Sequence, residues 1–449
     1  APTFGELHGS VAHPLTVIGT VLFGGVNGAK IVLLGSLLMA GFAQWWLARV
    51  VGLGWLARVW SASVVVAAGH LAGRMEHGVV GLIVSTAACS LVLAPALKVA
   101  LDGRRRDAVV LAVVLALAIV AGQGYMQIAL FLGIFPLLIL FLFKREGKIR
   151  PQWKELILAF VLSLLLAGVF LVPLAHFWPQ FGKQIDPFFS SSQPLSYMPF
   201  NFLIREMSFY QGTLLGKQPY GYMYMNYVGW IPVLLAAVAL RLVPKDNRRI
   251  LLYLCLAIVM ALFLGSGIPF QWLFKVMPEQ AAAVRSSPVM AGLAVPFLLA
   301  MAAWGLDLLL KLRWPAVSLE TTSDSFRPRL NTKYLFIAIL VFGSLLSVYQ
   351  FSKGWLETFE QTGDAYEVVN GVRTESAQWV AMPFGEHYWA PLAAEAGVKL
   401  TKVVRPSDWR GREAPGPFIS ASRQPEPSTT AVFSQHGVYV TRDVTNQYA

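Results

Sequence analysis

Val289–Leu310 reads VMAGLAVPFLLAMAAWGLDLLL, an apolar run interrupted by a single charge, Asp307. At 1.5 Å per residue a helix of about 20 such residues crosses the hydrocarbon core of a bilayer. Ile31–Val50, IVLLGSLLMAGFAQWWLARV, is a second run of the same kind. The rest of the 449 residues follow the pattern: 56% are hydrophobic and 13% charged, with mean hydropathy +0.58. A soluble chain carries roughly 25% charged residues and has nowhere to place such an apolar surplus. The sequence is that of a polytopic membrane protein.

Working outward from these two runs, spans are expected at about 29–50, 55–72, 78–101, 107–122, 124–143, 155–177, 227–243, 250–264, 289–311 and 334–350. Asp107–Phe143 is too long for one span, and Gly122-Gln123-Gly124 offers the point at which to break it into a hairpin. The fold class is therefore all-α polytopic, with about ten transmembrane helices over residues 1–350. Residues 351–449 lose the apolar runs and show short alternating stretches at Gly397–Val404 and Thr430–Val440, which predicts a small α/β region.

Alternating the loops across the bilayer allows Lys and Arg to be counted. One side holds 18, including Arg104, Arg105, Arg106, Lys144, Arg145, Lys245, Arg248 and Lys311. The short loops of the other side hold 6: Arg74, Lys183, Arg205, Lys217, Lys275 and Arg285. Basic loops stay in the cytoplasm, so segments 1–28, 69–77, 178–226, 265–288 and 351–449 are expected outside, the first with a shallow helix at Leu15–Gly24. This topology, rather than nucleic acid, accounts for the net charge of +12. Cys89 and Cys255 fall inside apolar runs and read as small buried residues, with no disulfide framework or metal site. The chain begins at Ala1 without the stretches of a signal peptide, which predicts a removed leader or a start within a longer protein.

Sidedness gathers the polar residues. His8, His13, His70, His77 and His176 fall at outer ends of spans or in adjoining loops, and His387 and His436 in the outer tail. Three clusters stand out: Gly5-Glu6-Leu7-His8-Gly9, Gly69-His70-Leu71-Ala72-Gly73-Arg74-Met75-Glu76-His77-Gly78, and Gly122-Gln123-Gly124-Tyr125-Met126-Gln127. Carboxylates and imidazoles at the mouth of a bundle are the groups that hold a divalent cation, magnesium or manganese, or move a proton. The bland reading makes them interfacial residues in water, and Gln123 and Gln127 interhelical glue. Glu6, His8, His70, Glu76, His77 and Gln123 are expected to line one outer-facing hollow. Arg285, in Pro278–Pro288 before a span, suits a phosphate through its planar fork, and otherwise serves as a snorkelling anchor. Asn226-Tyr227-Val228-Gly229 opens another span behind Tyr220, Tyr222 and Tyr224, which an aromatic belt explains equally well.

The order of these motifs resembles a known family. Gly5, Glu6, His8 and Pro14 lead to the Gly-His and Glu-His-Gly loop, then Leu117–Gln127 at a hairpin, Asn226–Gly229 before a span, and Pro278 to Pro288 before the next. Over residues 1–350 this resembles the YfhO-like bacterial membrane proteins of the GT-C class of glycosyltransferases. The resemblance implies a sugar taken from a polyprenyl-phosphate carrier and passed to an acceptor on the outer face of the cell membrane. It implies catalytic roles for Glu6, His8, Glu76 and His77, a cation at Glu76 and His77, and substrate contacts from His70, Arg74, Gln123, Gln127 and Arg285. The family's usual acid lies ahead of the stretch that Ala1–Pro14 resembles, leaving Glu6 as the substitute. The family's hairpin Gly-His-Pro-Gln is here Gly122-Gln123-Gly124-Tyr125. Two other readings compete. One is a non-catalytic subunit or scaffold of a larger membrane complex that keeps the fold. The other is a lipid or solute transporter, whose polar groups would sit nearer mid-membrane.

Overall fold

The computed structural model describes residues 10–76, 79–122, 124–137, 153–177, 193–206, 208–211, 221–277, 284, 287–312, 332–357 and five strands between 379 and 443. The helices are α1 (Pro14–Val50), α2 (Trp55–Val66), α3 (Gly69–Glu76), α4 (Val80–Asp102), α5 (Arg105–Val120), α6 (Gly124–Ile134), α7 (Trp153–Leu166), α8 (Gly168–Phe177), α9 (Trp230–Leu242), α10 (Arg248–Gly265), α11 (Ile268–Val276), α12 (Ala294–Lys311) and α13 (Thr332–Glu357). A 3-10 segment, Ser287–Leu293, leads into α12, and two single helical turns lie at Ser208–Gln211 and Gly221–Tyr224.

Among the described residues six helical stretches are long and apolar enough to cross a membrane: Asn27–Val50, Trp55–Met75, Val80–Asp102, Lys245–Gly265, Ser287–Lys311 and Lys333–Lys353. The α7–α8 pair makes a seventh if it counts as one span bent by 66°. Each remaining expected span coincides with a helix shorter than a full crossing: α5, α6 and α9. Gly122, at a φ of 69°, makes the break anticipated between α5 and α6.

The chain divides into two compact units, one of residues 1–12, 36–73 and 81–353, the other of 13–35, 74–80 and 354–449. In the first, α4 and the Ser287–Lys311 stretch are central, with 89% and 83% of their most apolar windows buried, whereas α13 is peripheral at 22%. Lipid is as apolar as leucine, so small residues that let backbones approach hold such a bundle together. The α9–α12 crossing shows this: a Cβ on Gly305 would fall 1.9 Å from the Leu235 carbonyl oxygen. At the end of α10, a Cβ on Gly265 would meet the Ala291 Cβ at 2.7 Å.

The first part of α1, up to residue 35, belongs to the second unit, and there Gly24, at a φ of 76°, folds the chain back. Pro14–Phe23 then lies against the start of the following span, so that a Cβ on Gly28 would sit 2.7 Å from the Gly19 carbonyl oxygen. A helix thus stands where the sequence predicts one, at Leu15–Gly24. The same unit carries the strands β1 (Trp379–Met382), β2 (Lys399–Lys402), β3 (Phe418–Ser422), β4 (Thr430–Gln435) and β5 (Val438–Asp443). They form a mixed sheet in the order β2-β1-β3-β5-β4, with β1 parallel to β2 and β3, and β5 antiparallel to β3 and β4. The alternation expected at 397–404 holds β2, and that at 430–440 holds β4 and the start of β5.

Candidate functional site

Two of the clusters that the sequence singles out meet at one end of the bundle. Residues 225–229 run as a strap without helical bonds between the turn Gly221–Tyr224 and α9, released into the helix by Gly229 at a φ of 86°. The Tyr227 carbonyl accepts a hydrogen bond from Gly69 N at 2.8 Å. That bond takes the amide which would otherwise continue α2, and it explains why the expected span 55–72 breaks at Ala67–Ala68 and restarts as α3. The approach is too close for a side chain: a Cβ on Gly69 would lie 2.5 Å from Tyr227 N. His70 follows directly and is 1% exposed.

The other edge of the strap rests on a 3-10 turn, Met198–Phe202. Asn226 N donates to the Asn201 carbonyl at 3.2 Å, and Val228 N and Gly229 N both donate to that of Phe202, at 2.9 and 3.1 Å. The side chains extend the lattice. Asn201 Nδ2 donates to Gln193 Oε1 at 2.8 Å, and Tyr210 Oη donates to Asn201 Oδ1 at 3.1 Å. Burial pushes the Tyr210 phenol above its ordinary range, which keeps the proton this bond requires. The Tyr210 and Tyr224 rings stack at 6.2 Å. Tyr227 shares a 2.7 Å hydroxyl contact with Ser347 of α13, and its ring stacks on Phe351 at 4.7 Å. Gln193, Asn201, Tyr210 and Asn226 are all fully buried. Asn226 Nδ2 donates to the Tyr224 carbonyl at 3.2 Å.

The hairpin between α5 and α6 is closed by side chains. Ser85 of α4 donates to the Gly122 carbonyl at 2.9 Å. Gln127 Nε2 donates to the Ala118 carbonyl at 2.6 Å and approaches Ser85 Oγ at 3.2 Å. The donor half of Gln127 thus ties helices together, as the glue reading anticipates. A second amide, Gln44 of α1, is 1% exposed and, oriented to match its surroundings, reaches Pro296 O and Ala300 N of α12 at 3.2 Å each.

Arg74, expected in an outer loop, is fully buried and is no residue in open water. His13, ahead of α1, is 3% exposed; its Nδ1 accepts from Leu15 N at 3.3 Å, and burial lowers its pKa to about 4. Glu6, His8, His77, Gln123 and Arg285, with the side chain of Glu76, lie outside the described residues. The single hollow expected of Glu6, His8, His70, Glu76, His77 and Gln123, and the cation at Glu76 and His77, therefore stand as expectations. Among the described residues no three of His, Cys, Asp and Glu converge as metal ligands do. Gln193, Asn201, Tyr210 and Gln44 escaped sequence reasoning. Isolated amides and phenols in a Pro- and Tyr-rich loop or an apolar run carry no spacing signal.

No family model and no curated protein matches the chain. Among solved structures, it is similar to ArnT from Cupriavidus metallidurans bound to undecaprenyl phosphate. That likeness has a TM-score of 0.51 at 14% identity and covers 96% of this chain and 87% of that one. The apo structure of the same protein gives a TM-score of 0.49 at 13% identity over the same shares. At such identity the likeness to the first concerns the fold: this is a multi-pass helical membrane protein of ArnT-like architecture.

Proposed function

We propose that this chain is a membrane glycosyltransferase of the GT-C class, taking a sugar from a polyprenyl-phosphate carrier at the Gly69–Gly229 end of its bundle. The observation that carries the reading is the junction of Gly69-His70 with Asn226–Gly229. Two short motifs, far apart in sequence and chosen for their resemblance to such enzymes, are locked backbone to backbone by the 2.8 Å bond from Gly69 N to Tyr227 O. The ArnT-like fold supports it, since the matched ArnT structure is bound to undecaprenyl phosphate. The excess of 18 Lys and Arg over 6 supports placing this end outside the cytoplasmic membrane. The YfhO-like resemblance is the finer form of the same proposal.

In this reading a carboxylate, Glu6 or Glu76, takes the proton of the acceptor hydroxyl as it attacks the anomeric carbon, and the lipid phosphate leaves. Arg285 receives two oxygens of that phosphate in its fork; lysine offers only a point charge. A magnesium or manganese ion at Glu76 and His77 is the cofactor form of this assignment. The test is transfer of radiolabelled hexose from undecaprenyl phosphate by the full chain in nanodiscs. Turnover should fall at least tenfold in Arg285→Lys and further in Arg285→Ala, with folding intact. Wild-type turnover in Arg285→Lys makes that residue an anchor. Absence of transfer and of donor binding in the wild type returns the chain to a scaffold.

A further inference from the structure

We infer that Asn226 reads a hydroxyl group of the sugar carried on the polyprenyl phosphate, an inference that rests on the transferase reading above. Asn226 is fully buried, and two of its polar groups have visible partners. Its backbone N–H goes to Asn201 O at 3.2 Å. Its Nδ2 goes to Tyr224 O at 3.2 Å, which fixes the amide so that Oδ1 is the end turned away from that carbonyl. Oδ1 itself has no hydrogen-bond partner among the described residues. A buried acceptor without a donor is costly to keep, and a fold retains one where something else supplies the proton.

The side chains that fasten the strap bear on which donor suits the site. The side chains joined around the strap, Gln193, Asn201, Tyr210, Tyr227 and Ser347, are all neutral. A neutral lattice suits an uncharged O–H and does nothing for a phosphate, which calls for arginine or a cation. The strap is also held rigidly, through four main-chain bonds to Asn201, Phe202 and Gly69. A fixed acceptor of this kind discriminates by orientation: it rejects an analogue that lacks the matching hydroxyl, because its lone pair is then left unpaired. Asn226 is thereby a specificity-determining residue of the donor site, and the other lattice members are positioning residues.

The test measures binding of undecaprenyl phosphate, undecaprenyl-phosphate glucose and its four monodeoxy analogues to the full chain in nanodiscs, without acceptor. Wild type should prefer the parent over one deoxy analogue by tenfold or more. Asn226→Ala should bind that pair equally, with undecaprenyl phosphate measured alongside. Asn226→Asp distinguishes a ligand contact from a merely structural one: it loses the Nδ2 donor to Tyr224 but keeps an acceptor at the Oδ1 position. Retained discrimination in Asn226→Asp, and none in Asn226→Ala, supports the assignment. Equal loss in both variants makes the amide a fastener of the strap and overturns it. Wild-type indifference to every deoxy analogue gives the oxygen to a bound water and overturns it too. If wild type binds neither undecaprenyl phosphate nor its glucoside, the transferase reading itself fails.

Discussion

At the Asp307 end of the bundle the buried polar groups pair as charges; the side chains that fasten the strap at the Asn226 end, Gln193, Asn201, Tyr210, Tyr227 and Ser347, are neutral. Asp307 accepts Gly54 N at 3.0 Å and Lys311 Nζ at 2.6 Å, and it caps the start of α2 in doing so. A second buried carboxylate, Asp107, is met by Lys98 at 3.0 Å, and Lys333 Nζ donates to the carbonyls of Leu310 and Leu312. These partners are long, flexible side chains near the solvent, and the main pair is one helical turn apart. The Asn226 end instead binds main chain to main chain across segments from three parts of the sequence, with short amides and phenols between them. The charged end can therefore yield and re-form, whereas the neutral end holds one geometry. Substrate reading needs the second property, since orientation is lost when donors or acceptors swing.

The contrast breaks most visibly at the glycines. At Gly69 an added methyl meets backbone nitrogen at 2.5 Å, while at Gly54 it meets a carboxylate oxygen of Asp307 at 2.6 Å. Backbone cannot step aside without dragging the strap, but a carboxylate can turn. Gly69→Ala should cost about 3 kcal/mol, the upper range for overpacking, and abolish sugar transfer. Gly54→Ala should cost about 1 kcal/mol and leave transfer unchanged. Thermal unfolding in detergent, read by intrinsic tryptophan fluorescence, supplies both values; equal losses would erase the distinction between the ends.

Next in size is Asp307. Asp307→Ala strips the α2 amide of its acceptor in a position only 4% exposed, at a cost of about 1–3 kcal/mol. Asp307→Asn retains an acceptor for Gly54 N and should lose less than half as much. A carboxylate whose worth lay in its charge would make the two variants equally unstable, and neither should change the affinity for a lipid-linked sugar.

Much of this was legible in the sequence because a bilayer is a demanding solvent: runs like Val289–Leu310 have few alternatives. The hairpin at Gly122 was readable from excess length, and a helix at Leu15–Gly24 separate from the span that follows was readable too, though the fold-back at Gly24 was not. The break at Ala67–Ala68 was not, since its cause is a carbonyl from Tyr227, distant in sequence. The 66° bend between Leu166 and Gly168 lies inside one unbroken apolar run and gives no compositional warning. Within the site, Gly69, His70 and Asn226–Gly229 were visible as motifs. Asn201, Gln193 and Tyr210 were not, because their role depends on a tertiary meeting with the strap and no local pattern encodes it. Gln127 was seen, and its donor half turned out to be the helix fastener.

Tyr210→Phe sharpens the neutral side of the comparison. It removes one buried O–H donor from Asn201 Oδ1, leaving only a 3.4 Å approach from Gln193 Nε2. The expected loss is about 1 kcal/mol, the net worth of one hydrogen bond. Because Asn201 carries the main-chain bond to Asn226, the affinity for a lipid-linked sugar should weaken as well. A variant with lowered stability and untouched binding would detach this lattice from the site.

The smallest effect belongs to Lys311, although its 2.6 Å contact with Asp307 is among the shortest polar contacts of the bundle. The lysine side chain is 65% exposed while its partner's is 6% exposed. An ammonium that is mostly in water gives up little hydration to form the pair and gains little from it, and holding four rotatable bonds in place offsets part of that gain. Exposed pairs at this spacing contribute about 0–1 kcal/mol. Asp307 meanwhile keeps Gly54 N when the lysine is gone, so its buried oxygen Oδ1 is not stranded. Lys311→Met should therefore shift the unfolding midpoint barely, and raising salt from 0.05 to about 0.5 M should remove most of what difference there is, since it shortens the screening length severalfold. A loss near that of Asp307→Ala, unchanged by salt, would mean that the pair acts as a buried one. The charged end would then be as fixed in geometry as the neutral one, and the rigidity attributed to the Asn226 end would no longer set it apart as the place where a substrate is read.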